Sequence, residues 1–101
     1  MFVVSNHVSI KDTSEGRYEK DVQEHAKQYL VDYAGFRRLE LLSPNTDGDY
    51  LLLAYWESKN AFERWTDTDD FGAAHDELLG RMFLGPAYVE QYKSVTTVES
   101  P

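Results

Sequence analysis

The chain contains no cysteine. That excludes disulfides, thiolate metal sites and cysteine nucleophiles. It is also poor in cations: 10 Lys and Arg stand against 18 Asp and Glu, a formal net charge of −8. Phosphate backbones need a basic face, so nucleic acid is not an expected partner. The acidity reads as solubility, or more specifically as a surface suited to a cytoplasm of high salt. No run approaches the ~18 apolar residues of a membrane span. The first ten residues, MFVVSNHVSI, lack the basic start and long apolar stretch of a signal peptide. The expectation is a soluble cytoplasmic protein. No Ser-His-Asp order, phosphate loop or paired-carboxylate site stands out, so nucleophilic hydrolysis is a poor match.

What is present is one domain of 101 residues, without repeat, linker or low-complexity tract. Residues 2–10 alternate: Phe2, Val4, Asn6, Val8 and Ile10 on one face, Val3, Ser5, His7 and Ser9 on the other. They predict a strand. After a turn at Lys11 to Ser14, with Thr13 or Ser14 as N-cap, a helix is predicted over about 15–33. Its stripe is Tyr18, Val22, His25/Ala26, Tyr29/Leu30 and Tyr33, and Gly35 ends it. Strands follow over 36–43 and 49–56, joined by a turn at Asp47-Gly48. Ser58 caps the next helix, with Ala61, Phe62 and Trp65 inward. The polar stretch Thr66 to Asp70 predicts a break and a restart over about 69–80, carrying Phe71, Ala74, His75, Leu78 and Leu79. A loop with Met82, Phe83 and Leu84 leads to a long last strand, 87–98. The order is βαββαβ: an α+β, ferredoxin-like fold with both helices on one sheet face. The third strand is apolar on both sides. Two helices cover one face, so the other predicts a second copy and a dimeric α+β barrel.

Three residues interrupt this pattern. Asn6 places a primary amide in an apolar strand face, where an unpartnered amide costs roughly 1–3 kcal/mol. His75 lies between Phe71 and Leu78 on the edge of an apolar helix stripe. Trp65 lies one helix earlier. Each has an ordinary explanation. A single histidine on a helix edge is commonly structural, a tryptophan is commonly core, and an asparagine can bond a local backbone group. Together, an amide, an indole and an imidazole converging on an apolar cavity suggest a bound cofactor with an iron to ligate. His7 points to the opposite strand face, and His25 reads as a boundary residue. The Asp67 to Asp70 run lacks the Gly and distal Glu of a calcium loop, so it reads as a solvated helix break.

The segment Trp56-Glu57-Ser58-Lys59, then Ala61-Phe62, Trp65 and Phe71-Gly72-Ala73-Ala74-His75, resembles the antibiotic-biosynthesis-monooxygenase superfamily. More narrowly, it resembles the small heme-degrading monooxygenases of IsdG type. That family shows W-x-S-x-x-A-F-x-x-W followed by F-x-x-A-H, with an Asn in the N-terminal strand where Asn6 falls. The resemblance covers nearly the whole chain, although the loop Gly80 to Pro86 looks shorter than in several members.

The resemblance implies specific roles. His75 would be the proximal ligand to heme iron, Asn6 would hydrogen-bond on the distal side, and Trp65 would press the porphyrin out of plane. Phe71 would join them in holding heme, which serves as both substrate and cofactor. O2 and an external electron donor, a reductase or small reductant, would complete the reaction. Arg17, Lys20 and Lys27 are candidates to face the propionates. Two alternatives remain open: a cofactor-free monooxygenase of the same superfamily acting on a quinol or polyketide-like aromatic, and a heme-binding protein without turnover. The bilin isomer and the fate of the meso carbon are not encoded in these residues.

Overall fold

The computed structural model describes residues 1–78 and 88–101, and for 74–78 the helical backbone alone. The loop residues Met82, Phe83 and Leu84 lie outside the described residues. Four strands form one antiparallel sheet: β1 (Phe2–Val8), β2 (Phe36–Leu42), β3 (Tyr50–Trp56) and β4 (Tyr88–Lys93). Their spatial order is β2-β3-β1-β4. Three helices, α1 (Glu15–His25), α2 (Lys59–Thr66) and α3 (Asp69–Leu78), complete the ferredoxin-like fold. No helix among the described residues is long and apolar enough to cross a membrane.

The alternation of β1 sets the layers. Val4 and Val8 are each 3% exposed and belong to two separate core clusters on the helix face. One joins Val8 and Ile10 to Tyr18, Val22 and Tyr50. The other joins Val4 and Trp56 to Ala61 and Trp65, with Phe2, Tyr29, Tyr33 and Phe71 packed around them. Aromatic edge-to-face contacts hold the second cluster, including Phe36 to Trp56 at 5.5 Å between centroids. Such pairs add about 0.5–1.5 kcal/mol beyond the area they bury.

The predicted first helix differs from the observed one. A 3-10 turn (Asp12–Ser14) precedes α1, and a π-helical turn (Ala26–Leu30) follows it. Ser14 sits at the cap position without a side-chain cap bond. The wider π turn changes the rotation between Val22 and Leu30. Tyr29 and Leu30 thus reach the second cluster while Tyr18 and Val22 fill the first. A period of three and four does not reveal the extra residue.

The last strand is also shorter than its alternation predicted. It ends at Lys93, and residues 94–101 carry no helix or strand. The break between α2 and α3 is where the sequence put it, but Thr68 shapes it. Its hydroxyl donates to the Trp65 carbonyl at 2.7 Å and accepts from the Phe71 N–H at 3.2 Å. The Ser58 side chain caps α2, accepting from the Ala61 N–H at 3.1 Å.

Candidate active site

Asn6 lies at the middle of β1, paired with Leu52 of β3 on one side and Val89 of β4 on the other. Strand alternation turns its side chain to the helix face, between the Val4 and Val8 positions. It is half-buried. Among the described residues its amide has no hydrogen-bond partner. The interruption read from the sequence is thus a polar group left over, at the seam between two apolar clusters.

Trp65 is 5% exposed and clamped by three rings. Tyr33 meets it at 5.3 Å and 66°, Phe71 at 6.0 Å and 86°, and Trp56 stacks at 6.4 Å. The structure therefore gives Trp65 a core duty, whatever else it does. Phe71 is half-buried, at the first turn of α3. His75 follows one turn later on the same helix. Spacing of four puts the two on one side of α3. The His75 side chain lies outside the described residues, as do those of Ala74 and Leu78. Helix α3 packs against both α1 and the π turn, so the segment carrying His75 is held by the irregular part of the first helix.

The other histidines are accounted for. His7 lies on the opposite sheet face, with Nε2 3.6 Å from Glu90 Oε1 and its ring 5.8 Å from that of Tyr88. His25 Nδ1 lies 2.5 Å from the Asp21 carbonyl, and its ring stacks on Tyr29. Among the described residues no cluster of His, Cys, Asp or Glu is arranged to hold a bare metal ion.

Two features were not read from the sequence. One is a tyrosine pair beneath α1: Tyr18 and Tyr50 meet edge-on at 5.4 Å, and the Tyr50 hydroxyl donates to Glu19. Burial, then the neighbouring Tyr50, pushes Tyr18 up to about 12. Burial, then the bond to Glu19, does the same for Tyr50. The other is a groove of about 300 Å³ between α1 and the edge strand β2, walled by Val22, Ala26, Val31, Phe36, Leu39 and Leu41. Neither Asn6, Trp65 nor Phe71 lines it. Lys27 does, whereas Arg17 and Lys20 pair with Asp21 and Glu24 along the exposed helix surface.

The sequence model of antibiotic biosynthesis monooxygenases matches residues 1–77, from β1 through most of α3. The chain belongs to the antibiotic biosynthesis monooxygenase family. As a monooxygenase of this family it is an oxidoreductase, and its likeness is to the IsdG type. It is 32% identical over 79 residues to the staphylobilin-producing heme oxygenase of Staphylococcus haemolyticus, spanning 74% of this chain and 73% of that enzyme. Among solved structures, the heme-degrader MhuD from Mycobacterium tuberculosis superposes with a TM-score of 0.80 at 22% identity, covering 98% of this chain and 100% of that one. SnoaB, a cofactor-independent oxygenase from Streptomyces nogalater, superposes with a TM-score of 0.80 at 18% identity, covering 95% and 94%. These two superpositions establish the shared fold, which is that of a heme-degrader and of a cofactor-independent oxygenase alike.

The residues present fit a heme. A half-buried amide without a partner among the described residues lies on the sheet face beneath the helices. An aromatic wall is formed by Trp65 of α2 and by Phe71 of α3, the helix that also bears His75. Those kinds of group suit a planar apolar macrocycle with a central iron.

Proposed function

We propose that the chain is a heme-degrading monooxygenase that acts as a cytoplasmic homodimer with one heme per protomer. The observation that carries the reading is Asn6, an amide with no partner among the described residues on the face of β1 that otherwise carries Phe2, Val4 and Val8. The 32% identity to a protein named as a heme oxygenase supports it.

In this reading His75 holds the iron through a ring nitrogen. Bound heme supplies the oxygen chemistry, with O2 and an external electron donor, and is itself consumed. Asn6 directs an N–H into a dry site, where a hydrogen bond to developing negative charge is stronger than in water. Trp65, fixed by Tyr33, Trp56 and Phe71, supplies a surface that does not yield to the porphyrin. Phe71 extends that surface toward His75.

The face of the sheet away from the helices supports the dimer reading. Leu51, Leu53 and Tyr55 of β3 and Val3 of β1 are half-buried there, and Leu42, Tyr88 and Tyr92 are exposed. Two copies joined through this face would bury upwards of about 2,000 Å² in total, the scale of an obligate interface.

The deciding experiment is a hemin titration followed by reductant and oxygen. A Soret band should form and then decay, and His75→Ala should abolish the band. A wild-type spectrum in His75→Ala overturns the ligand assignment. No Soret band in the parent protein favours the cofactor-free reading, in which a quinol or polyketide-like aromatic is the substrate. A stable band that never decays leaves a heme-binding protein.

A further inference from the structure

Trp65, Trp56 and Tyr33 form a closed triangle of rings. Tyr33 meets Trp65 at 5.3 Å between centroids and Trp56 at 6.1 Å, and the two indoles stack at 6.4 Å. All three pairs are in direct ring contact. Indole and phenol lose an electron far more readily than a phenyl ring does. Phe36, Phe62 and Phe71, which touch the triangle from outside, are phenyl rings. An oxidising equivalent that enters the triangle therefore stays there until one member passes it on to solvent.

The three members differ in their access to water. Trp65 is 5% and Trp56 1% exposed, whereas Tyr33 is half-buried. Ser5 Oγ and Trp56 Nε1 are the buried side-chain polar atoms left without a partner among the described residues, and the Tyr33 hydroxyl is not one of them. An indole that loses an electron becomes a strong acid, and Trp56 has no acceptor to take its proton. The positive charge would remain in an apolar cluster, where an unpaired charge is costly. A phenol in reach of water gives up its proton on oxidation and is left as a neutral radical, so no charge stays buried. Tyr33 is thus the lowest step of the three. Its backbone is fixed from both sides: its N–H donates to the Leu30 carbonyl at 2.8 Å, and its carbonyl accepts from the Phe36 N–H at 3.1 Å.

We propose that Tyr33 is the outlet through which oxidising equivalents leave Trp65, sparing the indole from damage by the monooxygenase reaction. This rests on the reading above, in which Trp65 faces the reacting substrate. A one-electron oxidant formed from O2 in the site takes an electron from Trp65 and leaves an indole radical cation. Tyr33 returns an electron to that indole, directly or by way of Trp56, and its phenolic proton passes to water. Trp65 is restored, and Tyr33 has lost one electron and one proton. The external reductant, a thiol or an enediol, then gives a hydrogen atom to the phenoxyl oxygen and is itself oxidised by one electron.

Flash oxidation of the full chain tests the outlet without any cofactor. Arg64→Cys places an exposed thiol next to Trp65 in a chain with no native cysteine, and a ruthenium polypyridyl photo-oxidant is attached there. Transient absorption after a flash with a sacrificial acceptor should show an indole radical that decays into a tyrosyl radical. Adding Tyr33→Phe, which keeps the ring, should abolish the tyrosyl signal and prolong the indole radical several-fold. Tyr29→Phe, at another half-buried tyrosine packed on the same cluster, should change neither. A tyrosyl signal that survives Tyr33→Phe overturns the proposal. So does an indole radical that never passes to tyrosine in the parent, or a signal lost in Tyr29→Phe instead.

The protective role has its own readout. Hemin-loaded protein is treated with hydrogen peroxide, and oxidised residues are mapped by mass spectrometry of its peptides. Tyr33→Phe should raise the oxidised fraction of Trp65 several-fold over the parent. Equal oxidation in the two overturns the protective role. A parent that binds no heme overturns the heme reading, and the flash experiment then decides the outlet by itself.

Discussion

Gly35 and Ala61 meet where the chain enters β2: a Cβ on Gly35 would lie 2.5 Å from the Ala61 Cβ. Gly35 also has a φ of +88°, and its carbonyl accepts from the Glu57 N–H at 2.7 Å. The start of β2, the end of β3 and the first turn of α2 are thus locked at one point. That lock brings α2, and with it Trp65, down onto Trp56.

Gly35→Ala should therefore combine backbone strain with overpacking, at a cost of about 2–4 kcal/mol. Chemical denaturation of the variant checks this. A loss below about 1 kcal/mol would mean that α2 can move aside.

Thr68→Val should cost about 1 kcal/mol, the usual worth of a helix cap. It removes the hydroxyl that accepts from the Phe71 N–H and donates to the Trp65 carbonyl. Because it joins the elements bearing Trp65 and His75, heme affinity should fall as well. The comparison to make is a hemin titration of Thr68→Val beside Thr68→Ser, which keeps the hydroxyl and should retain affinity.

The tyrosine pair makes stability fall at high pH. Both hydroxyls are raised from 10.0 to about 12 in the folded protein. The raised values mean that the unfolded chain releases these protons first. Their contribution is complete below about pH 10 and is lost as pH rises toward about 12. A shift of that size corresponds to about 3 kcal/mol for a single group. Melting curves across this range should show a steep loss that Tyr50→Phe makes shallower. An unchanged alkaline limb in that variant would refute the assignment.

Asn6→Val exchanges stability for turnover. It replaces an amide that has no partner among the described residues with an apolar side chain that matches Val4 and Val8, so stability should rise by about 0.5–1 kcal/mol. Heme should still bind, yet its degradation in a single turnover should slow by roughly tenfold or more, as for a lost donor in a dry site. Equal rates in variant and parent would return Asn6 to a structural role.

Trp65 requires a gentler substitution. Trp65→Ala removes a core ring and should cost about 3–5 kcal/mol, enough to obscure any effect on activity. Trp65→Phe retains most of the packing. If the indole presses on the porphyrin, the Phe variant should bind heme, flatten it by resonance Raman and degrade it slowly. A ruffled porphyrin in Trp65→Phe would argue against that role.

Much of this architecture is legible in the sequence because it depends on short periods. Alternation over Phe2 to Val8 and the two-sided apolarity of Tyr50 to Trp56 set the sheet. Ser58 and the Asp-rich stretch after Thr66 mark where helices start and stop. The interruption of an apolar face by Asn6 is visible for the same reason. The tertiary structure decided what periodicity cannot express. The π turn at Ala26–Leu30 adds a residue without changing the residue types, since wider rotation is favoured only when two separate clusters must be filled. Tyr18 and Tyr50 lie 32 positions apart, and only the crossing of α1 over β3 couples them. Val95 continues the alternation of β4, but a strand needs a neighbour to bond with, and within one protomer the ladder ends at Lys93. Sequence by itself determines which faces must be buried; tertiary structure determines which of them find a partner inside the same chain.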